Sequence, residues 1–572
     1  MTRPPISRLV ALFVGLVVGF GIIGVRLAVL QVSQAEALQA RAMSQRMRTI
    51  DLPAQRGEIL DRNREPLAIS VEARDIYADP RHVLDPAGTA AVLSEMLGVD
   101  RADLERRLAS TTSSFTYVAR QVDLKLARRV EAEEFPGVGF LPTSKRAYPA
   151  GALAPQVLGF VGVDGVGLSG LEYAWDSELG GTAGERTLEL SPGGLPILGG
   201  VDAGSDPVPG STLVLTLDRD FQYRVQAALE RAVAANGAEG GMVVVMDPRT
   251  GDVLAMATYP WFDPNAFASA DPVTFRNRPA TDAFEPGSTA KIVTAAAAVE
   301  LGAVRLDERF VVPDEMEVDE YTIHDAHPHR TLDMTVGDIF AESSNVGMAQ
   351  IAQRLGPETL SSYLDRFGFG ARTGIGFPAE SAGIMLPLEQ WSDSALATIA
   401  YGQGIGASLL QMTSVYATIA NGGVRVAPRL VEGTVGPAGA FHRAPRTDAV
   451  RVVSADTAST LTSMLVYAVE SGTGLNARIP AYQVAGKTGT ARIPLPDRAG
   501  YYENQYVASF IGFLPASDPQ LVIATVLDRP TTAYGGIAAA PLFREIAEYG
   551  IARLGITPAA PIGLPPRLLP AP

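Results

Sequence analysis

A single uncharged apolar run near the N-terminus sets the strongest limit on how this chain folds. Residues 9–25 carry no charge, and apolar character resumes after Arg26 through residue 30. As a helix rising 1.5 Å per residue, the uncharged part alone covers roughly 25 Å, close to the hydrocarbon thickness of a bilayer, and the charge of Arg26 can reach the interface. We therefore predict a transmembrane anchor over residues 9–30, preceded by a cytoplasmic tail over residues 1–8.

A cleaved signal peptide and a buried core helix are the alternatives for this run. The only small-residue pattern after it, VSQAEA, is a weak cleavage signal, which favours an uncleaved anchor. Basic residues lie on both flanks, and long domains translocate regardless of charge. We expect a single-pass protein with its N-terminus inside the cell and all later residues outside; no second span follows.

Charge and composition exclude several classes of partner. The chain has 572 residues, a length typical of three to four domains, and a net charge of −15 without a run of basic residues, so nucleic acid is not an expected partner. It has no cysteine, and hence no disulfide, thiolate metal site or cysteine nucleophile. Only four of its 47 basic residues are lysines: Lys125, Lys145, Lys291 and Lys487. A lysine retained among so many arginines can mark a site where an amine must lose its proton, which a guanidinium does not do.

Patterning divides the rest of the chain into two regions. Residues 32–50 read as a helix leaving the membrane, and residues 51 to about 213 as short strands with Gly/Pro turns, including Ser191–Gly194, and one short helix over 86–97. From residue 211 an α+β pattern follows, in which strands at both ends of the region flank several helices. Its predicted elements are a helix over 220–235, a hairpin of 241–246 with 252–257, helices around 289–301, 336–355 and 395–420, strands over 506–513 and 521–527, and a closing helix over 541–554. The Pro-rich tail, 557–572, is predicted to be disordered.

A serine and a lysine three residues apart provide the first candidate chemistry. A Pro-Gly turn brings Ser288 to the start of a predicted helix, and Lys291 shares its face. A buried neutral amine can take the proton of a serine hydroxyl, and the helix N-terminus favours the oxyanion that would form. On its own the pair is weak evidence, because a capping serine beside an unrelated lysine gives the same spacing.

Two further motifs strengthen the assignment. Ser343-Ser344-Asn345 is predicted to lie in the turn before a helix, and Lys487-Thr488-Gly489-Thr490 on a strand, where the glycine permits close approach to a ligand. Each alone is compatible with an N-cap or a solvated edge lysine. All three in this order match the serine–lysine motif set of penicillin-recognising enzymes.

The region of about 211–555 therefore resembles the transpeptidase domain of class B penicillin-binding proteins. Segments shared with the division-specific FtsI family are Arg276–Arg278, Phe284–Thr289, Ser343–Met348, Tyr401–Gly404, Gly486–Ala491, Ser509–Phe513 and Gly535–Pro541. Upstream, Arg56–Asn63 and Gly170–Tyr173 resemble that family's N-terminal pedestal. Ile292 stands where many members have proline, outside the chemical motifs. The resemblance implies a pedestal or dimerisation-type domain, elongated and β-rich, over 31–210 and a transpeptidase domain, an antiparallel sheet with helices, over 211–556.

The resemblance also implies a role for each motif residue. Ser288 would attack the penultimate D-alanine carbonyl of a peptidoglycan stem peptide ending in D-Ala-D-Ala, with Lys291 as general base. Ser343 would relay the proton to the leaving amine, and Asn345 would hold the donor peptide and Lys291. The remaining roles belong to the last motif: positive potential from Lys487, substrate binding by Thr488, Gly489 and Thr490, and an oxyanion hole made by the backbone N–H groups of Ser288 and Thr490. No cofactor or metal is expected, and β-lactams would trap the nucleophile.

Partners and location follow from the resemblance as well. It implies anchorage in the inner membrane with the catalytic domain in the periplasm at the septum, beside an FtsW-type glycosyltransferase and other division proteins. An elongation-specific class B enzyme and a penicillin-binding scaffold that activates a glycosyltransferase remain alternatives. A class A enzyme and a secreted β-lactamase are disfavoured by the upstream region and the anchor.

One histidine-rich segment resembles a metal site. His324, His327 and His329 lie close together, yet Pro328 and the polar context favour a connecting loop over a zinc site.

Overall fold

The computed structural model describes residues 6–189, 197, 201–498 and 500–564. The start of the predicted cytoplasmic tail, the predicted turn at Ser191–Gly194 and the end of the predicted disordered tail lie outside these residues. The chain forms two compact units. One contains residues 1–55 with 181–210, and the other contains residues 56–180 with 211–572.

The first unit contains the apolar helix. It runs over Ile6–Ala28 and continues as a π-helix over Val29–Ser33. Within the part of the chain that the structure describes, this is the one helix long and apolar enough to cross a membrane, with a mean hydropathy of 2.4 over its best window. The anchor prediction thus coincides with an unbroken helical segment.

The helix predicted over 32–50 is correct only in its middle. The structure has a helix over Ala35–Arg46, after which Met47–Leu52 form a strand that pairs antiparallel with Gly184–Glu189. A third strand, Asp202–Ser205, completes this small sheet. The pairing partner lies far along the chain, so a local reading of helix propensity could not detect it.

The second unit begins with a mixed seven-stranded sheet. Its strands, in spatial order, are Phe441–Arg443, Val431–Val435, Thr212–Leu215, Ile59–Leu60, Pro66–Ala78 and Thr116–Asp123, with Val138–Ala147 also paired to the long strand Pro66–Ala78. Ile59–Leu60 and Thr212–Leu215 run parallel, and the other pairs are antiparallel. This sheet crosses the predicted boundary at 210/211, since strands from both sides of that boundary are neighbours in it. The exact domain limits stay predictions.

Helices pack against this sheet more extensively than the sequence pattern indicated. The predicted helix Pro86–Leu97 is confirmed, but Arg101–Leu108 and Leu124–Glu131 were not predicted. Their buried Leu93, Leu104 and Val130 form a core with Ile76 of the long strand. Three shorter helices cover Pro155–Leu158, Gly170–Ala174 and Asp176–Leu179.

A cluster of charged side chains links residue 56 at the start of this upstream part of the chain to residues 172 and 176 near its end. The Glu172 side chain is completely buried and accepts hydrogen bonds of 2.7 Å from the Nε groups of Arg56 and Arg146. Asp176 accepts a further bond of 2.6 Å from Arg56. Because a buried carboxylate is tolerated only with such partners, these charges depend on one another. Arg56 and Glu172 lie in the two upstream segments that resemble the pedestal.

The α+β prediction for the later region is confirmed by a five-stranded antiparallel sheet. Its spatial order is Val253–Tyr259, Gly240–Met246, Leu521–Asp528, Tyr501–Leu514 and Ala485–Pro494. Alternate side chains of one strand enter different cores: Val243 and Val245 face the core that contains Phe221 and Phe543, whereas Met242 and Val244 face the larger core on the other side. Both faces of the sheet are therefore buried.

The helices of this region lie on both faces of the sheet or connect its strands. They span Arg219–Asn236, Arg278–Thr281, Lys291–Glu300, Val336–Ala341, Asn345–Leu355, Pro357–Phe367, Asp393–Ile399, Leu409–Ala420, Ala455–Ser471, Gly535–Ala538 and Ala540–Leu554. Short 3₁₀ turns span Pro80–His82, Pro264–Ser269, Pro272–Phe275, Gly287–Ala290, Leu388–Gln390 and Leu475–Ala477. Two-stranded pairs join Arg309–Val312 to Leu332–Thr335, Glu315–Val318 to Tyr321–His324, and Val424–Arg425 to Val450–Arg451.

Two predicted helices are each interrupted. The helix predicted over 336–355 breaks between Ala341 and Asn345, and the helical region 395–420 breaks between Ile399 and Leu409. Both breaks contain a motif singled out in the sequence, Ser343-Ser344-Asn345 in one and Tyr401–Gly404 in the other. The hairpin, the two late strands and the closing helix form where they were predicted, within a few residues.

Candidate active site

The Ser288 turn is held by contacts of its neighbours. Gly287 adopts a φ of +53°, and its N–H donates to the carbonyl of Gly402 at 3.0 Å. The buried Tyr416 hydroxyl donates to the carbonyl of Thr289 at 2.9 Å. The 3₁₀ turn Gly287–Ala290 then leads directly into the helix Lys291–Glu300. Ser288 is half-buried, and its hydroxyl makes no hydrogen bond to any residue that the structure describes.

Lys291 is completely buried and makes three close contacts. Its Nζ lies 2.5 Å from the carbonyl oxygen of Ser343, 2.8 Å from Oδ1 of Asn345 and 3.2 Å from Oγ of Ser343. Burial, with the charge of Lys487 in addition, lowers the pKa of Lys291 well below its ordinary value, while Asp325 opposes this shift. A neutral amine fits this setting. Its two N–H bonds serve the two acceptors that cannot donate, and its lone pair can accept from a hydroxyl.

The Ser343–Asn345 turn separates the helix Val336–Ala341 from the helix Asn345–Leu355. Ser343 has a φ of +65°, in the left-handed region that non-glycine residues rarely occupy. Ser344 caps the following helix, because its hydroxyl accepts the N–H of Gly347 at 2.9 Å. Asn345 donates through Nδ2 to the carbonyl of His324 at 2.9 Å, which directs its Oδ1 toward Lys291.

The Lys487 motif lies on the edge strand Ala485–Pro494, which, among the described residues, pairs with a strand on one side only, Tyr501–Leu514. A Cβ atom at Gly489 would lie 2.2 Å from the Ser509 hydroxyl and 2.9 Å from a Thr289 methyl group, so any side chain here would force these neighbours to shift. Thr488 shares a hydrogen bond of 2.7 Å with Thr473, and the Thr490 hydroxyl accepts the N–H of Gly535 at 3.3 Å. The free edge leaves backbone groups available to an extended peptide.

Lys487 is the second buried lysine of the site. Its Nζ lies 3.3 Å from the carbonyl oxygen of Thr488. Burial lowers the pKa of Lys487 to about 7, against the opposing effect of Glu342. The structure thus buries two of the four lysines completely, and these are the two that belong to the motifs.

The structure therefore unites part of the predicted constellation by direct contact. Lys291, Ser343 and Asn345 form one hydrogen-bonded group, and Lys487 influences Lys291 through its charge. Ser288 precedes Lys291 by one turn without a hydrogen bond between them. The individual roles of these residues, and of Thr488, Gly489 and Thr490, stay predictions.

Sequence reasoning missed a carboxylate beside this group. Asp325 accepts the N–H groups of Asn345 and Val346 at 2.5 and 3.0 Å, the Ser344 hydroxyl at 2.7 Å, and Nε2 of His329 at 3.1 Å. The segment read as a connecting loop is thus in contact with the Ser343–Asn345 motif. No group of three or more potential metal ligands clusters in the described ranges. The Asp between closely spaced histidines was the available signal.

A second carboxylate that was not assigned lies next to the serine turn. Glu285 accepts the N–H of Gly404 at 2.9 Å and the Tyr501 hydroxyl at 3.1 Å. Burial raises the pKa of Glu285 above its ordinary value. It connects the Tyr401–Gly404 segment to the turn that carries Ser288. Its position within Phe284–Thr289, one of the recognised segments, could have indicated this structural role.

Two family models match the chain. Residues 241–548 match the penicillin-binding protein transpeptidase domain, and residues 51–215 match the penicillin-binding protein dimerisation domain. Together these matches extend over most of the sequence and include every motif described above.

Individual proteins are similar over nearly the whole chain. Penicillin-binding protein PbpB of Mycolicibacterium smegmatis is 39% identical, with 96% of this chain and 90% of the relative covered. Peptidoglycan D,D-transpeptidase FtsI of Escherichia coli is 33% identical, with 94% and 90% covered. The crystal structure of penicillin-binding protein 3 from Mycobacterium tuberculosis, complexed with aztreonam, is 36% identical and superposes with a TM-score of 0.72, covering 90% of this chain and all of that one.

Proposed function

Because the chain belongs to the penicillin-binding protein transpeptidase family, we propose that Ser288 is its nucleophile and that it cross-links peptidoglycan stem peptides as a serine D,D-transpeptidase. One observation carries the assignment of the site. Lys291, one turn after Ser288, is a fully buried amine, and two of its N–H bonds already have acceptors in the Ser343 carbonyl and Oδ1 of Asn345. A neutral amine in this setting can act as a base.

Acylation follows from that arrangement. Lys291 takes the hydroxyl proton of Ser288 while the serine oxygen bonds to the carbonyl carbon of the penultimate D-alanine. The tetrahedral oxyanion is stabilised by the backbone N–H groups of Ser288 and Thr490. The C–N bond to the terminal D-alanine then breaks. Its nitrogen receives the proton from Lys291 through the Ser343 hydroxyl, and free D-alanine leaves.

Transfer to the acceptor reverses these steps with a different amine. An amine of a neighbouring stem peptide bonds to the acyl carbon and loses one proton, and the ester oxygen of Ser288 departs and is reprotonated. The products are a new amide cross-link and free enzyme. With a β-lactam the leaving nitrogen stays tethered to the acyl group, so the adduct on Ser288 persists.

Substrate binding is assigned to the edge strand. The terminal carboxylate of the donor binds the hydroxyls of Thr488 and Thr490, with Lys487 providing positive potential beneath it. The free edge of Ala485–Pro494 lets the peptide backbone pair alongside. Gly489 supports this role, because its lack of a side chain lets the strand lie against the Ser288 turn.

We propose a septal location on the basis of the apolar helix and the named relatives. The apolar helix Ile6–Ser33 anchors the chain in the inner membrane, with residues beyond it in the periplasm. The relatives named FtsI and PbpB support a place among division proteins, with an FtsW-type glycosyltransferase beside the anchor. A tagged copy is expected at the division site; uniform labelling of the side wall would favour the elongation-specific alternative.

Mass spectrometry after exposure to penicillin tests the nucleophile. The wild-type full-length protein in detergent is expected to gain one penicillin mass on the peptide that contains Ser288, and Ser288→Ala is expected to gain none. Absence of an adduct on the wild type, or an adduct that persists in the variant, would contradict the assignment. Complementation separates enzyme from scaffold, since restored division by Ser288→Ala would favour the scaffold.

A further inference from the structure

The loop over residues 324–329 carries a largely buried ion pair between Asp325 and His329. The Asp325 side chain is 8% exposed, and its two oxygens together accept four hydrogen bonds. Three of these come from Ser344, Asn345 and Val346, which are the second and third residues of the motif and the residue after it. The fourth comes from His329. The carboxylate is thus shared between its own loop and the start of the helix Asn345–Leu355.

The contacts of His329 favour its charged form. Its Nε2 lies 3.1 Å from a carboxylate oxygen of Asp325, and its Nδ1 lies 2.6 Å from the carbonyl oxygen of Arg330. Both partners accept hydrogen bonds, which suits an imidazolium with two N–H donors, and these contacts raise the pKa of His329 against the opposing effect of burial. The charged groups that face His329 are Asp325 and Asp314, whose carboxylate accepts the His329 backbone N–H at 3.2 Å.

The same loop fixes Asn345 from two sides. Asp325 holds its backbone N–H, and the carbonyl of His324 holds its Nδ2, which leaves Oδ1 for Lys291. The nearby Ser343 has a left-handed backbone, which is unfavourable for a residue with a side chain. Such a conformation persists only where neighbouring contacts determine it. Asp325 supplies those contacts on the C-terminal side of Ser343.

We propose that Asp325, paired with the charged His329, is a positioning residue that fixes the Ser343–Asn345 turn against Lys291 for acylation. This inference rests on the proposed function, because it assigns to Lys291 and Ser343 the roles given above. Asp325 accepts the N–H groups of the first two residues of the helix, while Ser344 caps that of Gly347, so part of its contribution is helix capping. Asp325 also places a negative charge near Lys291, an effect that a purely structural cap would not require.

The test is the acylation rate of full-length Asp325→Asn with a fluorescent penicillin across pH. We expect roughly a 100-fold lower second-order rate constant, the loss typical of about 1 Å of misplacement at a reacting group. We also expect the rising limb of the rate against pH to move to lower pH, because Asp325 raises the pKa of Lys291, whose neutral form is the base. The matched control is Glu315→Gln, an exposed carboxylate on the strand Glu315–Val318, which pairs with the strand leading into the loop, and it is expected to leave both unchanged.

The possible outcomes separate the positioning role of Asp325 from the proposed function. A wild-type rate in Asp325→Asn, or a slow rate with an unmoved limb, overturns the positioning role while acylation of wild-type Ser288 leaves the proposed function intact. Failure of the wild type to acylate removes the proposed function itself. If Asp325→Asn does not fold, His329→Gln decides: it keeps an N–H donor without the charge. We expect at least a tenfold slower acylation at an unchanged unfolding temperature, and a wild-type rate overturns the inference.

Discussion

Replacing Lys291 by arginine separates charge from basicity at the centre of the site. A guanidinium remains protonated at any pH the protein survives, whereas burial lowers the pKa of Lys291 well below its ordinary value. The two pure acceptors around Nζ, the carbonyl of Ser343 and Oδ1 of Asn345, can also accept from the N–H groups of an arginine. The variant Lys291→Arg therefore provides hydrogen-bond donors with a permanent positive charge but removes the neutral amine that takes the Ser288 proton.

The size of the effect follows from that single loss. General base catalysis contributes about 10²–10⁴-fold to a rate, which corresponds to roughly 3–5 kcal/mol of activation free energy. We expect the second-order rate constant of acylation by a fluorescent penicillin to fall by that factor in Lys291→Arg. The wild-type rate should rise with pH as Lys291 loses its proton, and the variant should lack this limb.

The matched control is the same substitution at a surface lysine. Lys125 is exposed on the helix Leu124–Glu131, and Lys125→Arg is expected to acylate at the wild-type rate. Circular dichroism and the unfolding temperature show whether Lys291→Arg is folded. A folded Lys291→Arg protein that acylates within about tenfold of wild type would refute the assignment of Lys291 as the base.

Three other substitutions test separate parts of the structure. Lys487→Met is expected to slow acylation yet raise the free energy of unfolding at pH 7 by roughly 2–4 kcal/mol, because the pKa of Lys487 is lowered to about 7 from an unfolded value near 10.5. The free-energy cost of burying a charged Lys487 is fully present below pH 7 and decreases as the pH rises toward 10.5. Urea titrations at pH 7 and 9.5 should therefore show a smaller stability gain for Lys487→Met at the higher pH. A gain that is equal at both pH values would contradict this prediction. Gly489→Ala places a methyl group against the Ser509 hydroxyl and should destabilise by about 1–3 kcal/mol and reduce acylation, as thermal unfolding and labelling would show. Glu172→Ala leaves two buried guanidinium groups, including that of Arg56, without a partner and should cost about 3–5 kcal/mol in urea unfolding, while any protein that remains folded still acylates; an unchanged midpoint would refute the cluster's role.

The sequence predicted the residues that carry the chemistry of the site better than the residues that hold them in position. The motif around Ser288 and Lys291 is local, because two residues three positions apart are brought one turn apart by local backbone geometry alone. The scarcity of lysine marked Lys291 and Lys487, and the structure buries both. Asp325 could not be found in this way, because its contacts with Asn345 join two segments that only the tertiary fold brings together.

Secondary structure failed where distant segments determine the local backbone. The strand Met47–Leu52 was read as helix because its partner, Gly184–Glu189, is remote in sequence. The predicted helix over 336–355 is broken because Ser343 adopts a positive φ beneath Lys291. A pattern of apolar residues does not contain that requirement, although the motif itself indicated a turn.

The strand Thr212–Leu215 has a consequence for dissecting this protein into fragments. It is hydrogen-bonded to Ile59–Leu60 on one side and to Val431–Val435 on the other. A fragment that starts at residue 211 would lose the first neighbour and expose the unpaired edge of an apolar strand, a template for self-association. A soluble catalytic fragment must therefore begin before residue 59, so that Ile59–Leu60 acts as an intramolecular cover for the edge of this strand.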